Sequence, residues 1–210
     1  MLRQVATAIL AAFVLDGQVA VAQPSFDCSK AQSATEQLIC TNQGLQWSDR
    51  QLARLYKLAQ KQASRAGRAA LAESQHRFLA ARDACPRDTL ECIGAIYEKR
   101  MRELAALTHV HDGYATFVRE TNGFLQIARF GFDGAVRMWT SRDNGNLCEF
   151  EGDGLLQTGK GILRFRGIAR GKECRIDFVP DDENMNVQVE GCRDHCGHGT
   201  YLDGHYTRTP

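Results

Sequence analysis

The spacing of apolar residues changes along the chain near residue 109. Between residues 29 and 107 apolar side chains recur every three to four positions, which predicts helices. Ser33 with Glu36 and Asp88 with Glu91 are typical of helix starts, and Gly67 separates the first long stripe from the second. The pattern predicts a short helix followed by an antiparallel three-helix bundle. Its three stripes are Leu45, Leu52, Leu55, Tyr56, Ala59 and Ala63; Leu71, Phe78, Leu79 and Cys85; and Ile93, Ile96, Tyr97, Met101, Leu104 and Leu107.

From Gly113 onward the pattern alternates with the period of two that is typical of β-strands. Leu163 and Phe165 share one face of a segment whose other face carries Arg164 and Arg166. About eight short strands predict a small antiparallel barrel or sandwich. The fold class is therefore α+β with two domains, a helical bundle at 23–108 and a β domain at 109–210. Tight turns are expected at four dipeptides: Asn122-Gly123, Asp133-Gly134, Asn144-Gly145 and Asp203-Gly204.

The first 22 residues are typical of a signal peptide. Arg3 precedes an apolar run at residues 5–15, and the segment ends in the small-x-small sequence Ala20-Val21-Ala22. We expect cleavage between Ala22 and Gln23 and a periplasmic or secreted protein. The apolar run is shorter than the roughly 20 residues of a membrane span, and the cleavage point carries no cysteine. Neither a membrane span nor a lipid anchor is expected.

Eight cysteines, an even number in an exported chain, indicate disulfides. The domain border divides them into two sets of four, and each set allows three pairings. In an up-down-up bundle the turn between the last two helices lies at the same end as Cys40. We therefore favour bridges from the N-terminal segment to that turn. The helical set is Cys28, Cys40, Cys85 and Cys92, and the β set is Cys148, Cys174, Cys192 and Cys196.

Charge differs between the two parts of the chain. The whole chain carries a formal charge of +1, so no general attraction for nucleic acid or anionic membranes is expected. Residues 23–108 carry thirteen basic and nine acidic side chains, net +4, whereas residues 109–210 carry twelve and fifteen, net −3. Asp181, Asp182 and Glu183 form the densest acidic cluster, which predicts a solvated turn between two strands. The sharper interpretation is a contact surface for a cationic partner, although Arg164 and Arg166 add positive charge to the same domain.

A search for reactive groups predicts no catalytic residue, no cofactor and no metal site, so no enzyme. Residues 192–198 hold two cysteines and two histidines that could bind zinc, but the spacing is irregular and an oxidising compartment favours disulfides. The glycine-rich segments at 152–154 and 159–161 lack the strand-to-helix context of a phosphate loop. His76, His109 and His111 are expected to be solvated surface residues.

Several elements between residues 26 and 107 occur in a characteristic order and spacing. They are Cys28, Glu36, Ile39 and Cys40; Leu45, Asp49, Leu52 and Tyr56; and Gln75, Phe78, Leu79, Arg82, Asp83, Cys85, Cys92, Tyr97 and Arg100. On these residues the segment resembles the N-terminal domain of the lysozyme inhibitor LprI family of exported bacterial proteins. The resemblance implies an envelope protein and lysozyme inhibition, and it assigns the matching residues to the scaffold. Asp49 and Arg82 are expected to pair across two helices as a structural salt bridge.

These observations favour a binding protein that covers the cleft of a cationic lysozyme or other cell-wall hydrolase. The alternative is a non-inhibitory envelope module that binds another protein or a small ligand, for example inside a barrel. An open apolar cavity in the β domain would favour that alternative, and a filled core with a charged rim would favour the inhibitor. A third possibility, a metal-binding protein, requires free thiols at Cys192 and Cys196.

Overall fold

The computed structural model describes residues 23–86, 89–108, 113–120, 122–169, 172–192 and 196–209. The predicted signal peptide lies outside these residues. Four helices follow one another after a short 3₁₀ turn at Cys28–Lys30, which confirms the short helix followed by three longer ones. They are α1 (Ala34–Thr41), α2 (Gln43–Gln62), α3 (Arg65–Asp83) and α4 (Leu90–Ala105).

Side-chain caps fix where three of the helices begin. The capping box of Ser33 and Glu36 is present at α1. At α3 the Ser64 hydroxyl accepts a hydrogen bond from the Gly67 amide at 3.1 Å, so Gly67 lies in the first turn of the helix and not between helices as predicted. Asn42 caps α2 in the same way. Asp88, the predicted cap of α4, lies outside the described residues, and that helix follows Thr89.

The second part of the chain is a closed antiparallel barrel in which each strand pairs with the next and the last pairs with the first. This confirms the barrel among the two predicted architectures. The alternating positions point inward and outward, as the sequence pattern requires. The strands are β1 (Gly113–Val118), β2 (Gly123–Phe130), β3 (Asp133–Ser141), β4 (Leu147–Gly159), β5 (Ile162–Ala169), β6 (Lys172–Asp181), β7 (Asn184–Glu190) and β8 (Gly204–Arg208).

The glycine dipeptides mark strand starts more often than turns. Asn144 and Gly145 lie in the turn between β3 and β4 as predicted, whereas Gly123, Gly134 and Gly204 already belong to β2, β3 and β8. A Cβ atom on Gly134 would lie 2.7 Å from a methyl group of Leu156, so this glycine permits close packing between strands.

The interior of the barrel is filled by side chains. Phe150, Phe165 and Phe178 are fully buried, and the rings of Phe150 and Phe165 meet edge to face at 5.7 Å. Met138 and Tyr206 are also fully buried in this core. Such packing is the usual state of an eight-stranded barrel interior. A ligand inside the barrel is therefore not favoured.

A second core joins the helices to the outside of the barrel. Trp47, Tyr97 and Met101 of α2 and α4 are fully buried, and their cluster includes Ala128 and Ala135 of β2 and β3. The short alanine side chains let the helices approach the outer face of the sheet closely. The helical half and the barrel thus share one packed interface, and the outer face of β2 and β3 is not a free surface.

Four disulfides are present, two within each half. The β-set bridges are Cys148–Cys196 and Cys174–Cys192. In the helical set Cys28 bonds to Cys40 and Cys85 to Cys92, so the favoured bridges between the N-terminal segment and the α3–α4 turn are wrong. The sequence separations are 12 and 7, and each bridge closes a local loop that the neighbouring helix ends already bring together.

Candidate functional site

Asp181, Asp182 and Glu183, which we call the acidic turn, connect β6 to β7. Asp181 pairs with Asn184 across the hairpin, which leaves Asp182 and Glu183 as a two-residue turn between strands, as predicted. Asp182 has a φ of 53°, in the left-handed region that aspartate tolerates better than most residues. All three side chains are exposed. The hairpin register therefore places three consecutive carboxylates in solvent.

The fold makes little use of these carboxylates. The Asn186 side-chain amide donates to Asp181 at 3.4 Å, and Nδ1 of His205 lies 3.9 Å from the same carboxylate. Within the described residues, neither Asp182 nor Glu183 forms an ion pair. Glu183 borders a surface cleft of about 560 Å³ whose wall also includes Arg102 and Arg208. The carboxylates of the turn are thus available to a partner.

The acidic turn lies at one particular end of the barrel. Because neighbouring strands are antiparallel, the turns after β2, β4 and β6 lie at the same end as the start of β1. We call this the linker end, since α4 connects to β1 there. It also presents Phe132, Leu155 and Lys160, all exposed. The linker end therefore combines acidic and apolar groups with basic side chains, namely Lys160 and, in the cleft beside Glu183, Arg102 and Arg208.

The positive charge of Arg164 is paired. Its Nε and Nη2 atoms donate to the two carboxylate oxygens of Asp177, each at 2.6 Å, across β5 and β6. These hydrogen bonds lower the pKa of Asp177. The sequence pattern placed Arg164 on an outward face, and the structure shows that its charge is neutralised on the same face.

A second acidic cluster, the β4 acids, faces the helices. Glu149, Glu151 and Asp153 alternate along β4 and so point outward from the barrel. Arg50 of α2 donates a short hydrogen bond to Glu151, and Arg54, one turn further along α2, donates to Asp153 at 2.6 Å. Part of the opposite net charge of the two halves is therefore used to hold them together.

Arg137 of β3 also belongs to this contact, since it lies between β4 and α2. Nη2 lies 3.7 Å from Glu149, and the guanidinium packs so closely on α2 that a Cβ atom on Gly44 would lie 2.6 Å from it. Burial lowers the pKa of Arg137. Burial also raises the pKa of Glu151, although Arg50 and Arg137 act in the opposite direction. The short linker predicts that the two halves touch, but sequence reasoning did not identify these residues. Their signals are the four-residue spacing of Arg50 and Arg54 and the alternation of the β4 acids.

Asp49 and Arg82 do not form the predicted pair. The Tyr97 hydroxyl donates to one oxygen of Asp49 at 2.7 Å, and the Ser25 amide donates to the other at 2.6 Å. Arg82 instead donates to Asp83 at 2.9 Å. Burial and the charge of Asp49 raise the pKa of Tyr97, so its hydroxyl remains a proton donor to Asp49. These buried contacts tie α2 to α4 and to the N-terminal segment, which is a structural role.

The cysteines of the proposed zinc alternative are in disulfides. Cys192 is bonded to Cys174 and Cys196 to Cys148, so neither sulfur is a thiolate, and His195 lies outside the described residues. Across the described part of the chain, no cluster of three or more metal-ligating side chains is present. Four disulfides indicate an extracytoplasmic protein.

None of the described helices combines the length and the apolar character that a membrane span requires. The architecture is that of a disulfide-bonded α+β protein, in which a helical unit packs on the outer face of a closed eight-stranded barrel. Residues 28–107, the helical half, match the family model described as lysozyme inhibitor LprI. The match ends before the barrel begins. No curated protein and no solved structure matches the chain.

Proposed function

We propose that this protein is an exported inhibitor of a cationic lysozyme or related cell-wall hydrolase, and that it acts by binding over the substrate cleft. The match of the helical half to the lysozyme inhibitor family supports the class of partner. The disulfides support an oxidising compartment, where such hydrolases work.

The acidic turn is the observation that carries the proposed contact. It holds three exposed carboxylates, and within the described residues the fold makes no ion pair with Asp182 or Glu183. Lysozymes of the common animal type are strongly cationic, and complementary charge speeds encounter and orients the partner. Charges that the fold does not require are the ones that a partner can neutralise without loss of stability.

The barrel also suits a protein that blocks a cleft. Its core is filled and its sheet is closed, so the turns at the linker end project from a rigid support. A surface held in its binding geometry loses less conformational entropy when a partner binds. The alternative of a ligand inside the barrel has no comparable support.

A cell-wall lysis assay tests this proposal. The purified, oxidised protein is titrated against a cationic animal lysozyme, and saturable inhibition that weakens with added salt is expected. The variant Asp181→Asn/Asp182→Asn/Glu183→Gln should raise the half-inhibitory concentration about tenfold, because three charges of the contact are lost.

A matched control removes three exposed charges from the opposite end of the barrel. Glu120→Gln/Asp143→Asn/Glu173→Gln changes net charge by the same amount and should stay within about twofold of the original protein. Equal weakening by the two variants would point to net charge and not to the acidic turn. Absence of inhibition at micromolar excess over several lysozyme types would refute the proposed function.

A further inference from the structure

Phe132 is the most exposed large apolar side chain in the described part of the chain, at 75% of its surface. It lies in the turn between β2 and β3, at the linker end of the barrel. Leu155, 48% exposed, lies on the adjacent strand opposite Asp133, the residue after Phe132. The backbones of Phe132 and Leu155 are therefore adjacent at the linker end, and both residues are exposed there together with Asp133.

The backbone that carries Phe132 is fixed by hydrogen bonds. The Phe132 carbonyl accepts from the Leu156 amide at 2.7 Å, and the Gly131 carbonyl accepts from Nε of Arg129 at 3.1 Å. Arg129 is itself held by a hydrogen bond of 3.1 Å to the Thr158 hydroxyl. Gly131 adopts a left-handed φ of 68°, which glycine allows without strain. The ring is thus exposed on a rigid turn.

Phe130, two residues earlier, shows that the helical half covers one aromatic ring and leaves the next one open. The Arg54 guanidinium lies 3.9 Å from the centroid of the Phe130 ring, and Phe130 packs against the interface core. Phe132 lies outside this cluster and is exposed. A rigid aromatic side chain exposed beside a second apolar residue is typical of the centre of a protein–protein contact.

We propose that Phe132, with Leu155 beside it, is the apolar anchor of the surface that binds the cationic hydrolase. The proposal rests on the proposed function and adds a second contact to the acidic turn. Both features lie at the linker end, and an interface of standard size, about 800 Å² per partner, is large enough to include both. Apolar groups then fill the partner's cleft, and Asp133 and the acidic turn face its basic rim.

The test compares two single substitutions in the lysis assay. Phe132→Ala should raise the half-inhibitory concentration at least about tenfold, because aromatic anchors dominate binding energy. Leu147→Ala, which removes a 47% exposed apolar side chain at the opposite end of the barrel, should stay within about twofold. Leu155→Ser is a second variant of the anchor and should weaken inhibition in the same direction.

The salt dependence separates the anchor from the charged contact. Phe132→Ala leaves every charge in place, so the change of inhibition with salt should match that of the original protein, whereas the acidic-turn variant should show a shallower dependence. If the original protein inhibits and Phe132→Ala inhibits equally well, the anchor proposal is wrong and the proposed function stands. If the original protein does not inhibit, both are wrong.

Discussion

The barrel carries two clusters of three carboxylates, and they differ in what the fold does with them. The β4 acids alternate along a strand and meet Arg50, Arg54 and Arg137. The acidic turn holds consecutive carboxylates at a hairpin tip, where Asp181 makes one long hydrogen bond and approaches His205. Equal charge in the sequence therefore has two different uses. The net charge of −3 in this half does not by itself measure what faces a partner.

Removal of Arg50 should have the largest effect on stability. Arg50→Met leaves the partly buried carboxylate of Glu151 with Arg137 at 4.0 Å as its remaining ion-pair partner among the described residues. The free energy of unfolding should fall by about 2 kcal/mol at pH 7, less than for a fully buried pair because both side chains keep some exposure. Urea denaturation measures the change.

The double variant Arg50→Met/Glu151→Gln is the control for this effect. Replacing both partners removes the uncompensated charge, so most of the lost stability should return. If the two substitutions are simply additive, Arg50 and Glu151 are not coupled and the assigned role of the β4 acids is wrong.

Glu151 should also contribute to the pH dependence of the free energy of unfolding. Burial raises its pKa above the ordinary value of about 4.3, so the native state holds a proton where the unfolded state has lost it. The contribution of Glu151 to stability therefore falls as pH rises through this window. Glu151→Gln should lack that fall, as seen in urea midpoints between pH 4 and 7. Parallel profiles for the two proteins would contradict the raised pKa.

The pKa of Asp177 is shifted in the opposite direction to that of Glu151, so its effect on the pH dependence of stability is also opposite. Its pKa is lowered by Arg164, so its contribution is present above the ordinary aspartate pKa of about 3.9 and is lost as pH falls through the lowered value. Asp177→Asn should therefore remove part of the acid-side loss of stability. If Asp177→Asn loses as much stability at low pH as the original protein does, other groups cause that loss.

Neutralisation of the acidic turn should have the smallest effect on stability. Asp181→Asn/Asp182→Asn/Glu183→Gln removes charges that are exposed and that contribute little to the fold, so the free energy of unfolding should change by less than about 0.5 kcal/mol. Thermal and urea unfolding provide the measurement. A loss comparable to that of Arg50→Met would mean that the turn, like the β4 acids, has a structural role.

The sequence predicted the helices, the strands and the turn at Asp182 because these depend on local spacing. The short linker indicates that the two halves touch, but the sequence did not identify the residues of that contact. Outward positions on β3 and β4 look solvent-exposed until a helix is placed on them. Arg137 is the clearest case: its alternation places it outside the barrel, and α2 then buries it. The predicted cysteine pairing in the helical set was wrong. Pairing depends on short distances between helix ends, and the spacing of cysteines in the sequence does not define these distances.

Phe132 shows a further limit of sequence patterns. Phe130 and Phe132 continue the outward phase of Ala128 on β2, and the sequence does not show which of these outward residues the helices cover. The structure ends β2 at Phe130, so Phe132 falls in the turn and is exposed. The residue proposed as the anchor could be found only after the strand boundary was known.

The most direct test of the account is a calorimetric titration of a cationic lysozyme with three forms of the protein. They are the original protein, the acidic-turn variant, and Glu149→Gln/Asp153→Asn, which neutralises the two more exposed β4 acids and leaves Glu151 intact. We expect the acidic-turn variant to bind about tenfold more weakly and the β4 variant to bind within twofold of the original. Loss of binding in the β4 variant with full binding in the acidic-turn variant would contradict the account.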